Sequence, residues 1–420
     1  MMPTAEAEPD RVPPPRVLVV SMYFAPCRDV GGKRFMYMSR YLRDSCDEYH
    51  VLARREDGVL PDAEAFQGNV HRVRMHPHYP PRRIRGVVHS KLIQAWFQCL
   101  CLIDPYVGWI VPATHKGREL CRRHRLNLVI VTVPSFPSLI AATLIARSCG
   151  IRLVIDYRDP WTNHEREFPV PFGKCLSVLA ERAAIKYASA AVFCTEPMRE
   201  EFVRAFGDIS PQKLEVIYNG FDRFELSSQR ESPSSCISMI YAGSLYGARR
   251  LAIIASALAE MVRAGEIDGS RFRFDVYTHS AERDRDLIER LGLCGIIRFH
   301  APVPHEQIKQ IMRESDVLFL PSGDDFAYAV PYKFFDYLSV RRPILAVAPL
   351  ESGVHRLMRV VDCGEFAEFG NHIQIRQKLG VLLRRERTYT FHGAERFRWE
   401  HAAKQYASLI ADVCSGSRAQ

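Results

Sequence analysis

The chain has 420 residues, 47% of them hydrophobic, and a formal net charge of +9 from 57 basic and 48 acidic side chains. That length supports two or three domains with substantial cores. The longest apolar run, residues 92–103, is shorter than the roughly 20 residues that a membrane-spanning helix needs. The twelve cysteines include no Cys-x-x-Cys pair, so neither a zinc site nor a disulfide framework is indicated, and we expect a cytoplasmic, reducing environment.

Strand-like apolar runs alternate with helical patterns from residue 16 to residue 224, after an acidic, proline-rich segment (residues 1–15) that we expect to be a disordered tail rather than a signal peptide. The predicted strands are 16–21, 49–53, 71–75, 128–132, 152–156, 191–194 and 214–218. Helical patterns fall near 35–42, 84–103, 112–125, 138–149, 174–188 and 196–206. This alternation is typical of a parallel sheet covered by helices.

A polar stretch with several serines, residues 225–236, predicts a linker, after which the same alternation restarts. The second set of predicted strands is 238–242, 271–277, 296–299, 317–320 and 343–347, with helices at 251–263, 282–291, 305–313 and 332–339. We therefore predict an α/β protein with two doubly wound domains, 16–224 and 237–395, that face each other across a crevice. A last segment, 396–420, carries the final predicted helix, 399–413.

The helix predicted over Tyr332–Ser339 begins directly after Pro331 and carries the most specific pattern in the chain. Its free N–H groups, with Lys333 beside them, suit a phosphate, and Asp336 one turn later suits sugar hydroxyls. Together these features indicate a sugar nucleotide. The alternative is an ordinary solvated ion pair between Lys333 and Asp336.

A second phosphate-binding position is predicted where Arg249 and Arg250 open a helix after the glycine-containing loop 243–247. In the first half, Gly31 and Gly32 precede a helix, where glycine permits close approach to a ligand. They do not form the Gly-x-Gly-x-x-Gly motif, which argues against a dehydrogenase.

Arg158 and Asp159 follow the strand 152–156, at the end where open α/β sheets bind ligands. Arg158 could bind a phosphate and Asp159 could position a hydroxyl; the alternative is a turn satisfied by its own backbone. His71, His76 and His78 lie close in sequence, but we interpret them as solvated histidines of a proline-rich loop rather than a metal site.

Seven short stretches, in order along almost the whole chain, resemble the bacterial glycosyltransferases of family 4, which have the GT-B fold of two Rossmann-like domains. They are 24–26 with 31–32, 104–109, 133–137, 156–162, 216–222, 241–245 and 332–338. The resemblance implies a sugar nucleotide donor bound mainly by the C-terminal domain and an acceptor bound by the N-terminal domain. It also implies transfer with retention of anomeric configuration, and a C-terminal helix that crosses back onto the first domain.

The resemblance also implies roles for individual residues. Arg249 takes the position of the family's diphosphate-binding lysine, and Asp336 that of the glutamate associated with ribose. Val303 lies where the backbone meets the base, and Arg158-Asp159 where many members place His-Asp. Two departures concern the donor: Tyr328 stands where the first of two glutamates is expected, with Asp324 and Asp325 as candidate replacements, and Ser244 stands where an arginine is expected.

We therefore predict a glycosyltransferase of cell-surface polysaccharide or glycoconjugate synthesis, with Asp159, Arg158, Arg249 and Lys333 as catalytic residues. No metal or cofactor is expected. The donor would contact Gly31, Gly32, Gly243, Ser244, Arg249, Arg250, Val303, Lys333 and Asp336. A catalytically degenerate GT-B subunit is the alternative, and no nucleic-acid partner is expected because no aromatic-interleaved basic motif occurs.

Peripheral contact with an anionic membrane, near a lipid-linked acceptor, is one interpretation of the basic segment Arg82–Arg85 followed by Leu92–Ile103. The other is that residues 92–103 form an interior helix and that the arginines are solvated.

Overall fold

The computed structural model describes residues 14–25, 30–55, 69–75, 106–162, 171–222, 236–245, 247, 250–279 and 281–417. The chain divides into two compact units. The first comprises residues 1–194, 198–218 and 399–420, and the second comprises 195–197 and 219–398. Among the described residues, no helix is both long and apolar enough to cross a membrane.

The first unit contains a seven-stranded parallel sheet in the order β3-β2-β1-β4-β5-β6-β7. Its strands are β1 (Arg16–Val20), β2 (Glu48–Arg54), β3 (Asn69–Val73), β4 (Leu128–Val133), β5 (Arg152–Tyr157), β6 (Ala190–Phe193) and β7 (Leu214–Val216). The central strands are continuous apolar runs because helices cover both faces of the sheet; every residue of β4 is buried.

The helices of this part of the chain are α1 (Lys33–Leu42), α2 (Ile110–Arg123), α3 (Phe136–Cys149), α4 (Pro171–Tyr187) and α5 (Glu196–Ala205). Helix α3 is largely buried and ends at Gly150, whose φ of 65° lies in the left-handed region that glycine adopts without a steric penalty. The last helix, α12 (Trp399–Ser415), also belongs to this unit.

Helix α12 packs against α1 through aromatic side chains. The Tyr406 ring meets Phe35 edge to face with 5.7 Å between ring centroids, and Trp399 stacks on Tyr37 at 5.6 Å. Tyr406 and Trp399 are both buried. The predicted return of the last helix to the first domain is therefore confirmed.

The second unit contains a six-stranded parallel sheet in the order β10-β9-β8-β11-β12-β13. Its strands are β8 (Ile237–Ala242), β9 (Phe272–Tyr277), β10 (Ile297–His300), β11 (Val317–Pro321), β12 (Ile344–Ala348) and β13 (Gly364–Glu368). Its helices are α6 (Ala252–Arg263), α7 (Glu282–Arg290), α8 (His305–Glu314), α9 (Tyr332–Val340), α10 (Gly353–Val360) and α11 (His372–Leu383).

The predicted α/β class and the two doubly wound parallel sheets are confirmed, with element ends shifted by a few residues. The sequence analysis predicts no helix or strand over residues 349–398, where the structure has α10, β13 and α11. The side-chain oxygens of Ser352 and Asn371 cap α10 and α11, a local signal that marks both helix starts. The predicted strand 71–75 is confirmed as β3, so His71 lies in a strand rather than among solvated loop histidines.

Several sequence predictions fall outside the described residues. They are the N-terminal tail up to residue 13, the helical pattern at 84–103 with Arg82–Arg85, His76 and His78, most of the linker, and Arg249.

Candidate functional site

In each sheet the strand order reverses between two neighbouring central strands, and ligands of open α/β folds bind beyond the carboxyl ends of such strands. In the second unit these strands are β8 and β11. The loop that starts at Gly243 follows β8 directly, and the chain after β11 leads into α9. Topology therefore brings the two sequence-predicted phosphate-binding segments of the second unit to one edge of its sheet.

The ammonium group of Lys333, at the start of α9, is held against the end of β8. It donates a hydrogen bond of 3.0 Å to the hydroxyl of Tyr241 and lies 4.1 Å from the centroid of that ring. The Tyr241 hydroxyl in turn donates to the backbone oxygen of Ser244 at 2.8 Å. Because Tyr241 is fully buried, its ring and hydroxyl hold the Lys333 ammonium group in a defined position at the end of the sheet.

Gly243 makes room for this ammonium group. A Cβ atom at position 243 would lie only 2.5 Å from the Lys333 Nζ, and the residue has a φ of 143°, which L side chains rarely adopt. Close approach and backbone conformation thus both require glycine here. The Lys333 ammonium group therefore lies at the start of α9, beside the exposed Ser244.

Asp336 lies one turn beyond Lys333 and is half-buried. Its Oδ1 is 3.7 Å from the Nε2 of His305, the first residue of α8. Val303, two residues before that helix, is also half-buried. The helices α8 and α9 contact each other, so a carboxylate, an imidazole and the 301–304 loop border one part of the sheet edge.

Arg250 has a partner within its own unit. Its Nε lies 3.2 Å from Oδ2 and 3.3 Å from Oδ1 of Asp284, a carboxylate that also accepts the Leu251 backbone N–H at 3.1 Å. Asp284 is 2% exposed, so this pair ties α7 to the start of α6. Arg249, its neighbour, lies outside the described residues.

The two candidate replacements for the missing first glutamate are both exposed, in the short turn Asp324–Phe326. The Asp325 Oδ2 lies 3.3 Å from the place of a Cβ at Gly247 and so reaches the loop after β8. Tyr328, at the expected glutamate position, is only 6% exposed.

In the first unit, a buried ion pair lies at the carboxyl end of β5. Both the Nε and Nη2 of Arg34 lie within 3.0 Å of Asp156 carboxylate oxygens, and Nη2 also donates to the Ile217 carbonyl at 2.7 Å. Thr132 and Tyr406 donate to the same carboxylate at 3.0 and 2.9 Å. Burial alone would lower the pKa of Arg34, but the Asp156 carboxylate raises it above its usual range, so the guanidinium stays charged.

Arg158 and Asp159 differ in what surrounds them. The Arg158 guanidinium folds back over the end of β4, where its Nε donates to Thr132 Oγ1 at 3.0 Å and its Nη2 to the Pro134 carbonyl. Asp159 is half-buried, and its carboxylate has no hydrogen-bond or ion-pair partner among the described residues. Of these two predicted catalytic residues, Asp159 is the one whose side chain can accept a hydrogen bond from the hydroxyl of a bound ligand.

Gly32 is buried at the start of α1, where a Cβ would come within 3.2 Å of the Tyr23 backbone. Close packing between the loop after β1 and the helix therefore accounts for this glycine. Gly31 precedes it in the short helical turn Val30–Gly32. Both stand at the carboxyl end of β1, beside β4, which is where the strand order of this sheet reverses.

Sequence reasoning missed Tyr241, His305, Arg34 and Tyr406 as residues of these sites. Tyr241 lies inside a strand and reads as an ordinary apolar residue. Arg34 is 122 residues from Asp156 along the chain, and Tyr406 is 250 residues from it, so no local pattern connects them.

Comparison with known proteins agrees with this architecture. Residues 31–220 match the family described as "Glycosyl transferase 4-like domain". A D-inositol 3-phosphate glycosyltransferase of Streptomyces bingchenggensis is 22% identical over 279 residues, which is 60% of this chain and 59% of that relative. This chain therefore matches about three fifths of that relative's length.

Two solved structures share the fold. The apo form of the lipopolysaccharide outer core galactosyltransferase WaaB superposes with a TM-score of 0.63 at 16% identity, covering 94% of this chain and 99% of that one. Anabaena HepE in complex with UDP superposes with a TM-score of 0.57, also at 16% identity, covering 95% and 96%. These two structures confirm the GT-B fold, and the family match supports the resemblance to family 4 glycosyltransferases over residues 31–220.

Proposed function

Because residues 31–220 are a glycosyl transferase 4-like domain in a chain with the GT-B fold, we propose that this protein is an enzyme that transfers a sugar from a nucleotide-diphospho-sugar to a hydroxyl acceptor. The observation that carries the proposal is the position of Lys333. Its ammonium group is fixed by Tyr241 beside Gly243, at the start of α9 and at the reversal point of a doubly wound sheet.

Lys333 binds the donor diphosphate together with the positive end of the α9 dipole. During transfer the bond between the anomeric carbon and the diphosphate oxygen breaks, and negative charge develops on the leaving diphosphate. The fixed ammonium stabilises that charge. Arg249 is proposed to share this role, which leaves Arg250 to hold Asp284.

The same edge of the sheet binds the rest of the donor. Asp336, with His305 beside it, accepts hydrogen bonds from the ribose hydroxyls, and the backbone at Val303 contacts the base. Of the two acids in the 324–326 turn, Asp325 is the proposed ligand of the sugar, since it reaches the loop after β8. A uridine nucleotide is the first donor to test, because HepE, which shares the fold, has UDP in its structure.

The first unit binds the acceptor through Asp159 and the Gly31-Gly32 turn. Asp159 positions the acceptor hydroxyl, whose oxygen bonds to the anomeric carbon while its proton passes to the donor phosphate on the same face, which gives retention. Arg158 orients this loop through Thr132 and Pro134. No metal is required, because cations of the chain compensate the diphosphate charge; turnover that survives chelation would support this.

The test is a screen of nucleotide sugars for protection against thermal unfolding, since a ligand that binds only the native state raises Tm. The donor found is then used to measure transfer or hydrolysis by Lys333→Met, with Lys404→Met as the control, a lysine exposed on α12. We expect a loss of about 10²-fold or more in kcat for Lys333→Met only, by analogy with removal of one preorganised charge-stabilising donor. Equal turnover in both variants would overturn the proposal.

A catalytically degenerate subunit is the second candidate, and Tyr328 and Ser244 favour it, since neither supplies the charged side chain expected there. A donor that protects against unfolding, but is neither transferred nor hydrolysed with any acceptor, would identify this case.

We also propose a role in cell-surface polysaccharide or glycoconjugate synthesis at the cytoplasmic face of a membrane, with a lipid-linked acceptor. Its support is the basic segment Arg82–Arg85 followed by the apolar segment Leu92–Ile103. Co-sedimentation with anionic vesicles, for the wild type and for a variant with Trp96 and the segment's leucines replaced by serine, tests it. Equal sedimentation of the two would contradict membrane contact through this segment.

A further inference from the structure

Three imidazole rings and a carboxylate meet at the amino-terminal edge of the first unit's sheet, the edge opposite Asp156. Glu48 and His50 lie at the start of β2, His71 in the neighbouring β3, and His124 directly after α2. One ligand atom from each of Glu48, His50 and His124 lies within 4.8 Å of the other two. The group forms only in the fold, because β2 and His124 are far apart in sequence.

His50 is the centre of this cluster and is 1% exposed. Its Nε2 is 2.8 Å from Glu48 Oε2, its Nδ1 is 3.1 Å from His71 Nε2, and its ring centroid is 4.1 Å from that of His124. The contact between His50 and His71 requires one ring nitrogen to accept, so at least one of these rings is neutral. Burial lowers the pKa of both His50 and His71, that of His71 to about 4.

We propose that Glu48, His50 and His124 bind a divalent transition-metal ion of the zinc class. Two imidazole nitrogens and one carboxylate oxygen are a ligand set that this ion prefers, and they leave a fourth position for water. Tetrahedral zinc bonds of about 2.0–2.2 Å hold the ligand atoms about 3.3–3.6 Å apart. The three atoms, which now lie within 4.8 Å of one another, therefore have to shift by roughly 1 Å. Glu48 is 31% exposed and His124 half-buried, so the ion can enter from solvent.

His71 completes the arrangement as the outer partner of a ligand. Metal-bound histidines usually donate their other N–H to an acceptor that fixes the ring. In the metal-bound form, His50 coordinates through Nε2, and its proton lies on Nδ1, from which it is donated to His71 Nε2. The observed distance of 3.1 Å already places these two atoms for that bond.

Arg16 is a nearby cation that limits the affinity. Its Nη2 lies 3.5 Å from Glu48 Oε1, and its Nε donates to the His124 backbone oxygen at 3.0 Å. The guanidinium therefore occupies one carboxylate oxygen and leaves Oε2 toward His50. We expect a dissociation constant in the micromolar range. The ion would join the start of β2 to the end of α2 and stabilise the first unit.

The experiment uses the full-length protein, stripped with a chelator and dialysed against Zn²⁺ or Co²⁺ alone. Variants His124→Gln and Glu48→Gln change half-buried positions, and His401→Gln, at an exposed position on α12, is the control. Wild type and His401→Gln should each bind one equivalent of metal at micromolar metal concentrations. With Co²⁺ they should gain visible absorption bands without thiolate charge transfer, and with Zn²⁺ they should have a higher Tm. The other two variants should lose the bands and the Tm increase, while circular dichroism shows that they are folded.

The proposal would be overturned by binding of the wild type only at millimolar metal, or by binding of His124→Gln and Glu48→Gln that equals the wild type. A Co²⁺ spectrum dominated by thiolate charge transfer would also overturn it, because it would assign the metal to cysteines. None of these readouts depends on transferase activity.

Discussion

The hydroxyl of Tyr406 donates a hydrogen bond of 2.9 Å to Oδ1 of Asp156, and so connects the last helix to the end of β5. Both residues are fully buried. The same carboxylate neutralises Arg34, whose helix α1 begins directly after Gly32. One acidic side chain thus joins three segments at the edge where the acceptor is proposed to bind.

Tyr406→Phe should lower the free energy of unfolding by about 1.5 kcal/mol, because a hydrogen bond to a charged group is lost while Asp156 keeps its other donors. Urea unfolding measures the change. Tyr187→Phe is the matched control, since its hydroxyl donates to a neutral carbonyl, that of Ile151, at 2.8 Å. It should lose only about 0.5–1 kcal/mol. An equal loss in both variants would contradict the importance of the charge.

Asp156→Asn should be far more costly, at about 3–5 kcal/mol, because it leaves the Arg34 guanidinium buried without a counter-charge. A second variant, Arg34→Met with Asp156→Asn, should recover part of this loss by removing the unpaired charge. The double-mutant cycle measures the coupling between the two sites. Additive losses would show that the pair is not coupled.

How much of these sites can be read from the sequence depends on the range of the contacts. The Lys333 position could be predicted, because a proline, a cation and a carboxylate within six residues define a helix start locally. Arg34 could not: beside Lys33 it reads as part of a basic surface pair, and only the fold buries it against Asp156. Central strands such as β4 and β11 were predictable because they are buried on both faces, whereas β13, with alternating burial, gave no continuous apolar run.

Gly243→Ala should abolish most donor binding and turnover, because the added methyl group would displace the Lys333 ammonium. Gly265→Ala is the control for a glycine with a positive φ. Gly265 has a φ of 70°, and a Cβ added there would meet nothing within 4 Å, so this variant carries only the left-handed backbone cost of about 1–2 kcal/mol. Isothermal titration with the donor should distinguish them. Unchanged affinity in Gly243→Ala would show that the lysine does not need this position.

Glu181→Gln should stabilise the protein above neutral pH. Glu181 is fully buried in α4, where its Oε2 accepts the Thr162 backbone N–H at 3.2 Å and the Thr162 hydroxyl. Burial raises the pKa of Glu181 to about 7, although the Thr162 bonds oppose the shift. An amide oxygen at this position can accept the same two bonds, so the variant keeps them without the cost of a buried charge.

The sign follows from proton binding. Between pH 4.5 and about 7 the folded protein holds a proton on Glu181 that the unfolded chain has released, so stability falls as pH rises through this window and is constant above it. The fall is about 3 kcal/mol in total. The Tm difference between Glu181→Gln and wild type should therefore grow from pH 5 to pH 8. Glu119→Gln is the control, because the Glu119 carboxylate is 43% exposed and Lys116 lowers its pKa. Any contribution of Glu119 to the pH dependence of stability therefore lies below pH 4.5. The Tm difference between this variant and the wild type should stay constant from pH 5 to pH 8. A flat difference for Glu181→Gln as well would mean that this carboxyl is ionised in the folded protein throughout.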